Sequence, residues 1–307
     1  MPLLYLYMPE NIENKLLPEV ANRLSKRFEK KVGIHSTKTL SGGCINHVSK
    51  LDTTVGTFFL KWNFHCQPDL FEREAESLRE LSKIDNPYLS IPQVIDYKGL
   101  NDSPAFLLLE YLEPSRSSGK KMDEMLGRGL ALIHQHRADK FGFYNDNYCG
   151  STLQDNSWNN NWIDFFGQQR LGQILKLIQQ TRNIPTSDMQ VYGKLLSKLP
   201  QIIPGNRKPV LIHGDLWSGN YMHTSIGPAL IDPAAYYADC EMEMGIMTLF
   251  GGFSSRFWEV YLEVNPLEPD WVERNKVYQL YHILNHYYLF GGGYGQQAFG
   301  IAKYFAG

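Results

Sequence analysis

The sequence predicts an α+β fold in two lobes, a small strand-rich one over residues 1–112 and a larger helical one over 113–307. Three observations predict it. The chain has 307 residues, and at about 150 residues per domain that suggests two compact parts. Hydrophobic residues make up 43% and charged residues 20%, enough to bury a core and too apolar for a disordered chain. Strand-type segments cluster between about 34 and 112 and helical patterns dominate afterwards; such segregation points to α+β, not to an alternating parallel sheet.

Taken in order, the first ten residues, MPLLYLYMPE, are apolar but lack the basic start and small-residue cleavage site of a signal peptide, and Met8 is an alternative start. Residues 11–31 read as an amphipathic helix with a basic end. From 34 to 62 short β-type segments flank a Ser41-Gly42-Gly43 turn, and Gly56-Thr57 leads into Phe58-Phe59-Leu60-Lys61-Trp62. Apolar spacing at Phe71, Ala75, Leu78 and Leu81 predicts a helix over 69–83. Strands follow at Gln93–Tyr97 and Ala105–Glu110, then a turn-rich linker at 113–119. Beyond it, helices are expected at 121–137 and 159–180, with two or three more in the last seventy residues.

Several function classes are excluded. Thirty basic against thirty-two acidic residues give a net charge of −2 and a pI near 6.5, unlike a phosphate-backbone binder, so no nucleic-acid partner is expected. No apolar run approaches the roughly 18 residues of a membrane span. The four cysteines, Cys44, Cys66, Cys149 and Cys240, form no CxxC pair and imply neither a zinc ribbon nor a disulfide framework; they suit a reducing cytoplasm.

The chemistry is concentrated in Val210-Leu211-Ile212-His213-Gly214-Asp215-Leu216-Trp217-Ser218-Gly219-Asn220 and in Ala229-Leu230-Ile231-Asp232-Pro233. Asp215 and Asn220 sit in a polar loop after an apolar strand, and Asp232 ends a second apolar strand. Carboxylate and amide oxygens are the hard ligands Mg²⁺ prefers, and Mg²⁺ keeps few protein ligands because it also takes phosphate oxygens. Kinases use the same arrangement: a catalytic-loop Asp, an Asn five positions on that binds metal, and a further Asp after a downstream strand. Asp215 is therefore the expected catalytic base, with Asn220 and Asp232 as the expected Mg²⁺ ligands and ATP as the phosphoryl donor. Such a site implies a bilobal, protein-kinase-like fold.

The first lobe then has to supply nucleotide contacts. Lys61 ends an apolar strand, where a kinase places the lysine that pairs with the α- and β-phosphates. Of Glu72, Glu74 and Glu76, Glu74 is the expected partner: at about 100° per residue it lies about 60° from Phe71, beside the apolar stripe, and the other two point about 100° or more away. Gly42 and Gly43 would let backbone approach phosphate, although the full glycine-rich pattern is missing. Leu107-Leu108-Leu109-Glu110-Tyr111-Leu112 suits an adenine-binding hinge in which backbone groups of Glu110 and Leu112 meet the base.

The sequence resembles the fructosamine kinase (ketosamine-3-kinase) family, within the wider aminoglycoside-phosphotransferase-like group of small-molecule kinases. The resemblance is carried by Leu-Ser-Gly-Gly-Cys-Ile-Asn at 40–46, Phe-Leu-Lys-Trp-Asn at 59–63, Phe-Glu-Arg-Glu-Ala at 71–75 and Leu-Gly-Arg-Gly-Leu-Ala-Leu-Ile-His at 126–134. It continues through Asp-Asn-Tyr-Cys-Gly-Ser-Thr-Leu-Gln at 146–154, Trp-Ile-Asp-Phe-Phe at 162–166, the loop at 213–220 and Ile-Asp-Pro-Ala-Ala-Tyr-Tyr-Ala-Asp at 231–239. It implies ATP-dependent phosphorylation of the 3-hydroxyl of a ketosamine, free or on glycated protein lysines, giving a product that releases the amine. It also implies redox sensitivity at Cys44, with the protein a monomer or a disulfide-linked homodimer; a small buried hydrophobe is the other reading of Cys44. The run Glu243-Met244-Gly245-Ile246-Met247 stands where the family more often has Asp-Leu-Ala-Met, a difference expected to touch helix packing more than catalysis.

Several residues keep two readings. Trp217 packs against the sugar or its amine, or braces the loop as a core aromatic. Asn147, Thr152, Gln154 and Asn156 line an acceptor pocket or form a hydrogen-bonded loop. His282 and His286 lack the Glu of a zincin motif and read as packing residues. Gly291-Gly292-Gly293 follows a helical run and reads as a helix terminator. A kinase for another hydroxylated amine, such as an aminoglycoside or choline, and a catalytically silent nucleotide-binding module remain as rivals.

Overall fold

The computed structural model describes residues 15–40, 46–101, 104–115 and 119–307. Contacts divide them into two compact units: the residues up to Glu76 with Pro92–Glu113, and Ser77–Ile91 with Pro114–Gly307.

In the first unit, α1 (Leu17–Arg27) buries Val20 and Leu24 and carries Glu19 in its first turn and Lys26 and Arg27 in its last, as the helix dipole favours. It stops short of residue 31 because Glu29 takes a left-handed φ of 51°. The strands β1 (Ile34–Thr39), β2 (His47–Thr53), β3 (Gly56–Asn63), β4 (Val94–Lys98) and β5 (Ala105–Glu110) form one antiparallel sheet in the order β1-β2-β3-β5-β4. Phe58, Leu60 and Trp62 of β3 join a core with Leu16, Val20, Leu24, Phe106 and Leu108. Strand alternation therefore turns Lys61, which pairs with Val48 and Leu107, toward the opposite face. Arg23 holds Asp96 through two bonds of 2.5 and 2.6 Å and ties α1 to β4.

α2 (Leu70–Ser82) follows the predicted apolar spacing, with Phe71, Ala75, Leu78 and Leu81 all buried. From Ser77 onward its residues belong to the second unit.

That unit continues with α3 (Lys120–Ile133) and the hairpin β6 (Asn147–Cys149)–β7 (Thr152–Gln154). The predicted helix over 159–180 is a helical turn, α4 (Trp162–Asp164), a π-helix over Phe165–Gly172, and α5 (Gln173–Thr181). Then come α6 (Thr186–Ile202), β8 (Val210–Ile212), β9 (Tyr221–Thr224), β10 (Gly227–Leu230), β11 (Tyr236–Ala238), α7 (Cys240–Phe250), α8 (Ser255–Val264), α9 (Trp271–Phe290) and α10 (Tyr294–Ala306). Four helices thus follow Asp239, one more than the expected upper count. α9 ends where Gly291 takes a φ of 71°, the expected terminator. β8 pairs with β11 and β9 with β10, in separate two-stranded ladders. These strands of three or four residues are too short for a period-2 pattern to show in the sequence.

Candidate active site

The loop at 213–220 is held by its backbone. Val210, Leu211 and Ile212 are drawn into the core by burial, and β8 then releases the chain at His213. Gly214 adopts a φ of 85°, and a Cβ there would stand 2.0 Å from the Ala234 carbonyl oxygen, so only glycine fits. The fully buried His213 bonds through Nε2 to the Ile231 carbonyl (2.8 Å) and through Nδ1 to the Asp215 N–H (3.3 Å). Since a carbonyl only accepts and an N–H only donates, His213 is the neutral Nε2–H tautomer. Burial lowers its pKa, against the opposing pull of Glu243.

Glu243, on α7, is the residue that the sequence reading misplaced. It is fully buried, and its carboxylate accepts the N–H groups of His213 (2.5 Å), Gly214 (3.1 Å) and Leu216 (3.4 Å). It braces the loop itself and is not simply a packing residue. Thirty positions separate it from His213, so nothing local in the sequence links the two.

Asp215, Asn220 and Asp232 are brought together. The Asn220 Nδ2 donates to the Asp215 carbonyl (2.8 Å) and to Asp215 Oδ2 (3.1 Å). The Ile231 N–H donates to the Asn220 carbonyl (3.0 Å) and the Ala234 N–H to the His213 carbonyl (2.9 Å), so the turn bearing Asp232 is fastened to the loop bearing Asp215. Asp232 takes a left-handed φ of 56°, which a short polar side chain tolerates. The Asp215 carboxyl is pushed up to about 8, first by burial and then by the charges of Asp232 and Glu243.

This donor set fits a hard divalent cation. With its Nδ2 committed to two acceptors, Asn220 keeps its amide oxygen as the end able to ligate a metal, and the negative charge of Asp232 that raises the Asp215 carboxyl would be offset by a shared cation. Among the described residues there is no group of three or more His, Cys, Asp or Glu that could hold a metal ion.

In the first unit, Lys61 Nζ lies 2.8 and 3.0 Å from the two Glu74 carboxylate oxygens, with both side chains buried. Glu76 turns instead to Arg73 (2.7 Å), and Glu72 lies 3.5 Å from the same Arg73. At the end of β5, the Glu110 N–H donates to the Gln93 carbonyl (2.9 Å), Tyr111 carries Lys50 over its ring at 4.5 Å, and Leu112 lies beyond the strand. Gly42, Gly43 and Cys44 lie outside the described residues.

Trp217 is 40% exposed, so it is not a core aromatic. Its ring covers Gly219, where a Cβ would come within 2.2 Å of it, and its centroid is 6.4 Å from that of Phe250. Asn147, Thr152, Gln154 and Asn156 are buried and take the hydrogen-bonded reading: Asn156 Nδ2 donates to Asn147 Oδ1 (2.9 Å), Arg170 to Asn156 Oδ1 (2.6 Å) and Gln154 Nε2 to the Tyr281 hydroxyl (2.8 Å). His282 is buried within the unit, as packing predicts.

Comparison with known structures gives the class first. The protein matches a thermostable mutant of aminoglycoside phosphotransferase APH(4)-Ia with a TM-score of 0.61, over 94% of this chain and 98% of that one, at 16% identity; it has the kinase-like fold of the small-molecule phosphotransferases. A proposed fructosamine-3-kinase of Haemophilus somnus matches with a TM-score of 0.83, 26% identity, and 93% and 96% of the two chains covered. The chloroplastic protein-ribulosamine 3-kinase of Oryza sativa subsp. indica is 38% identical over 275 residues, 87% of this chain and 78% of that protein. The fructosamine kinase family model matches residues 16–305, and the chain belongs to the fructosamine kinase family. It is a phosphotransferase that acts on a hydroxyl group. Among the described residues no helix is long and apolar enough to cross a membrane.

Proposed function

We propose that the protein transfers the γ-phosphoryl group of ATP to the 3-hydroxyl of ketosamines. The observation that supports this reading most directly is the joining of Asp215, Asn220 and Asp232 through a loop braced by Glu243. The rice relative's name favours ribulosamines among the acceptors. Residues 1–112 carry the nucleotide contacts, with the Lys61–Glu74 pair presenting an ammonium to the phosphates and Gly42, Gly43, Glu110, Tyr111 and Leu112 serving the nucleotide. Residues 113–307 carry the loop and the acceptor. Asn220 and Asp232 would hold Mg²⁺, which supplies neutralising charge to the phosphate oxygens. Asp215 orients the acceptor hydroxyl in line with the γ-phosphorus and takes its proton as the new P–O bond forms and ADP departs. The exposed Trp217 offers an apolar face to the sugar or the attached amine. Three described cysteines, Cys66, Cys149 and Cys240, are free thiols, consistent with work in a reducing compartment such as the cytoplasm.

The test is a panel of fructose-, ribulose- and erythrulose-derived lysine adducts, with ADP release as the readout and phosphorus NMR to locate the new phosphate. Turnover with phosphate on C3 is expected. ADP release only with an aminoglycoside or choline, or with none of them, overturns the reading.

A further inference from the structure

Arg170 lies in the π-helix and is 1% exposed, yet nothing in the proposed chemistry uses it. π-Helical turns are rare and frequent at functional sites. The Arg170 guanidinium sits over the rings of Tyr236 (4.0 Å to the centroid) and Phe165 (4.6 Å). It donates to the Asp155 and Gln169 carbonyls (2.7 and 3.1 Å) and to Asn156 Oδ1 (2.6 Å), and to no carboxylate among the described residues. From Asn156 the bonding runs on. Asn156 Nδ2 donates to Asn147 Oδ1 (2.9 Å), and Asn147 Nδ2 donates to the Ala235 carbonyl (2.9 Å). Both ends fix the direction of this chain, because a guanidinium only donates and a carbonyl only accepts. Each asparagine therefore turns its oxygen toward Arg170 and its NH₂ toward Ala235. All four residues are buried, and all belong to the second unit.

We propose that Arg170, Asn156 and Asn147 are positioning residues for Asp232, forming a strut that holds the turn bearing it in its left-handed conformation. Asp232 has a φ of 56°, and such a backbone persists only where the surroundings over-determine it. One clamp on the turn comes from the loop at 213–220: the Ile231 N–H donates to the Asn220 carbonyl and the Ala234 N–H to the His213 carbonyl. The strut supplies the other. Asn147 takes the Ala235 carbonyl, and Arg170 packs on the ring of Tyr236, the next residue. The backbone of Asp232 is thus held from both sides. Arginine suits the role because its rigid fork reaches several oxygens while its face lies on an aromatic ring, which a lysine cannot do. The use of the strut in catalysis rests on the proposed reading of Asp232 as a metal ligand; its hold on the turn does not.

The experiment compares Asn156→Asp, Asn147→Leu and Arg170→Lys with the parent. Asn156→Asp keeps an acceptor for Arg170, whose charge holds the new carboxylate ionised, but offers Asn147 no donor. Hydrogen exchange needs neither metal nor turnover. The Ile231 and Ala234 amides are expected to exchange about tenfold faster or more in all three variants, with amides in the middle of α9 within about threefold of the parent. A merely structural role would move both regions together or neither. If Arg170→Lys fails to fold, the two asparagine variants carry the test. The second readout is Mn²⁺ affinity by electron paramagnetic resonance, with a non-hydrolysable ATP analogue present. It is expected to weaken about tenfold in the variants, while binding of the analogue in EDTA stays within about twofold. Loss of Mn²⁺ affinity in Asp232→Asn tests the ligand reading by itself; should that variant bind Mn²⁺ like the parent, the ligand reading fails and amide exchange still decides the strut. Parent-like exchange at Ile231 and Ala234 in Asn156→Asp and Asn147→Leu, or an equal acceleration in α9, overturns the strut. Faster exchange with unchanged Mn²⁺ affinity, where Asp232→Asn does lose it, overturns the positioning of Asp232.

Discussion

Glu243→Gln tests how the loop is held. The native carboxylate is fully buried and accepts N–H groups from His213 (2.5 Å), Gly214 (3.1 and 3.3 Å) and Leu216 (3.4 Å). A glutamine amide is nearly isosteric but has one acceptor end. If its oxygen takes the Oε2 place, its NH₂ faces the Gly214 and Leu216 donors; if it takes the other, its NH₂ faces His213. Either way at least one backbone N–H is left facing a donor, at about 1–3 kcal/mol, and the charge-assisted bonds that remain weaken to neutral ones. Relief of the buried charge offsets part of this. A net loss of about 2–4 kcal/mol is expected, which for a chain of this size lowers the melting temperature by about 5–10 °C. The loop carrying Asp215 shifts with it, and small displacements of a reacting group cost up to about 10²-fold in rate. Thermal unfolding and steady-state kinetics, measured together, should show both effects, with the KM for ATP moving least. A variant with the parent's melting temperature and kcat would refute the bracing role.

Asp215→Asn should keep nucleotide affinity and lose about 10²–10⁴-fold in kcat, measured by ADP release against ATP binding. Asn220→Ala and Asp232→Asn should raise the Mg²⁺ concentration for half-maximal rate by about tenfold or more, read from a metal titration. Lys61→Met should destabilise by about 3–5 kcal/mol, because it leaves Glu74 buried without its ammonium. Adding Glu74→Leu should restore the melting temperature but not the activity, which separates the pair's structural role from its role at the phosphates. The buried His282 has its pKa pushed down to about 3, first by burial and then by His286. The unfolded chain therefore binds the proton first, and stability is complete above about pH 6.5 and falls as pH drops toward 3, by about 2 kcal/mol at pH 5 from this residue alone. Melting curves from pH 7 to 4 should show a flatter decline in His282→Asn.

Much of the fold was legible because it is written locally. Helical spacing set α2, so Glu74 could be chosen over Glu72 and Glu76 from angles alone, and it is the one paired with Lys61. The loop at 213–220 was legible because Asp215 and Asn220 are five apart in one turn and meet through a direct bond. Features that depend on distant segments were not legible. Glu243 reaches His213 across thirty positions, and Cys149 meets Asn285 across 136. The π-helix hid for another reason: it keeps the apolar stripe of an α-helix, so a pattern read at 3.6 residues per turn does not reveal it.

The second unit gathers negative charge where folding alone would avoid it. Asp215 is raised to about 8 by burial, Asp232 and Glu243, against about 3.9 in an unfolded chain. Between those values the native state holds a proton that the unfolded state has released, so this carboxyl takes stability away as pH rises through the window. Uncharged residues of the same size would remove that cost. Each carboxyl has instead been kept with only partial compensation: Glu243 by backbone N–H groups, Asp215 by Asn220. A site that stores repulsion in this way is completed by what it binds. A cation held by Asn220 and Asp232, as proposed, would offset that repulsion and favour the charged form of Asp215 that a base needs. On that proposal the base and the metal-nucleotide would be coupled, the acceptor hydroxyl meeting an effective base once the phosphoryl donor is in place.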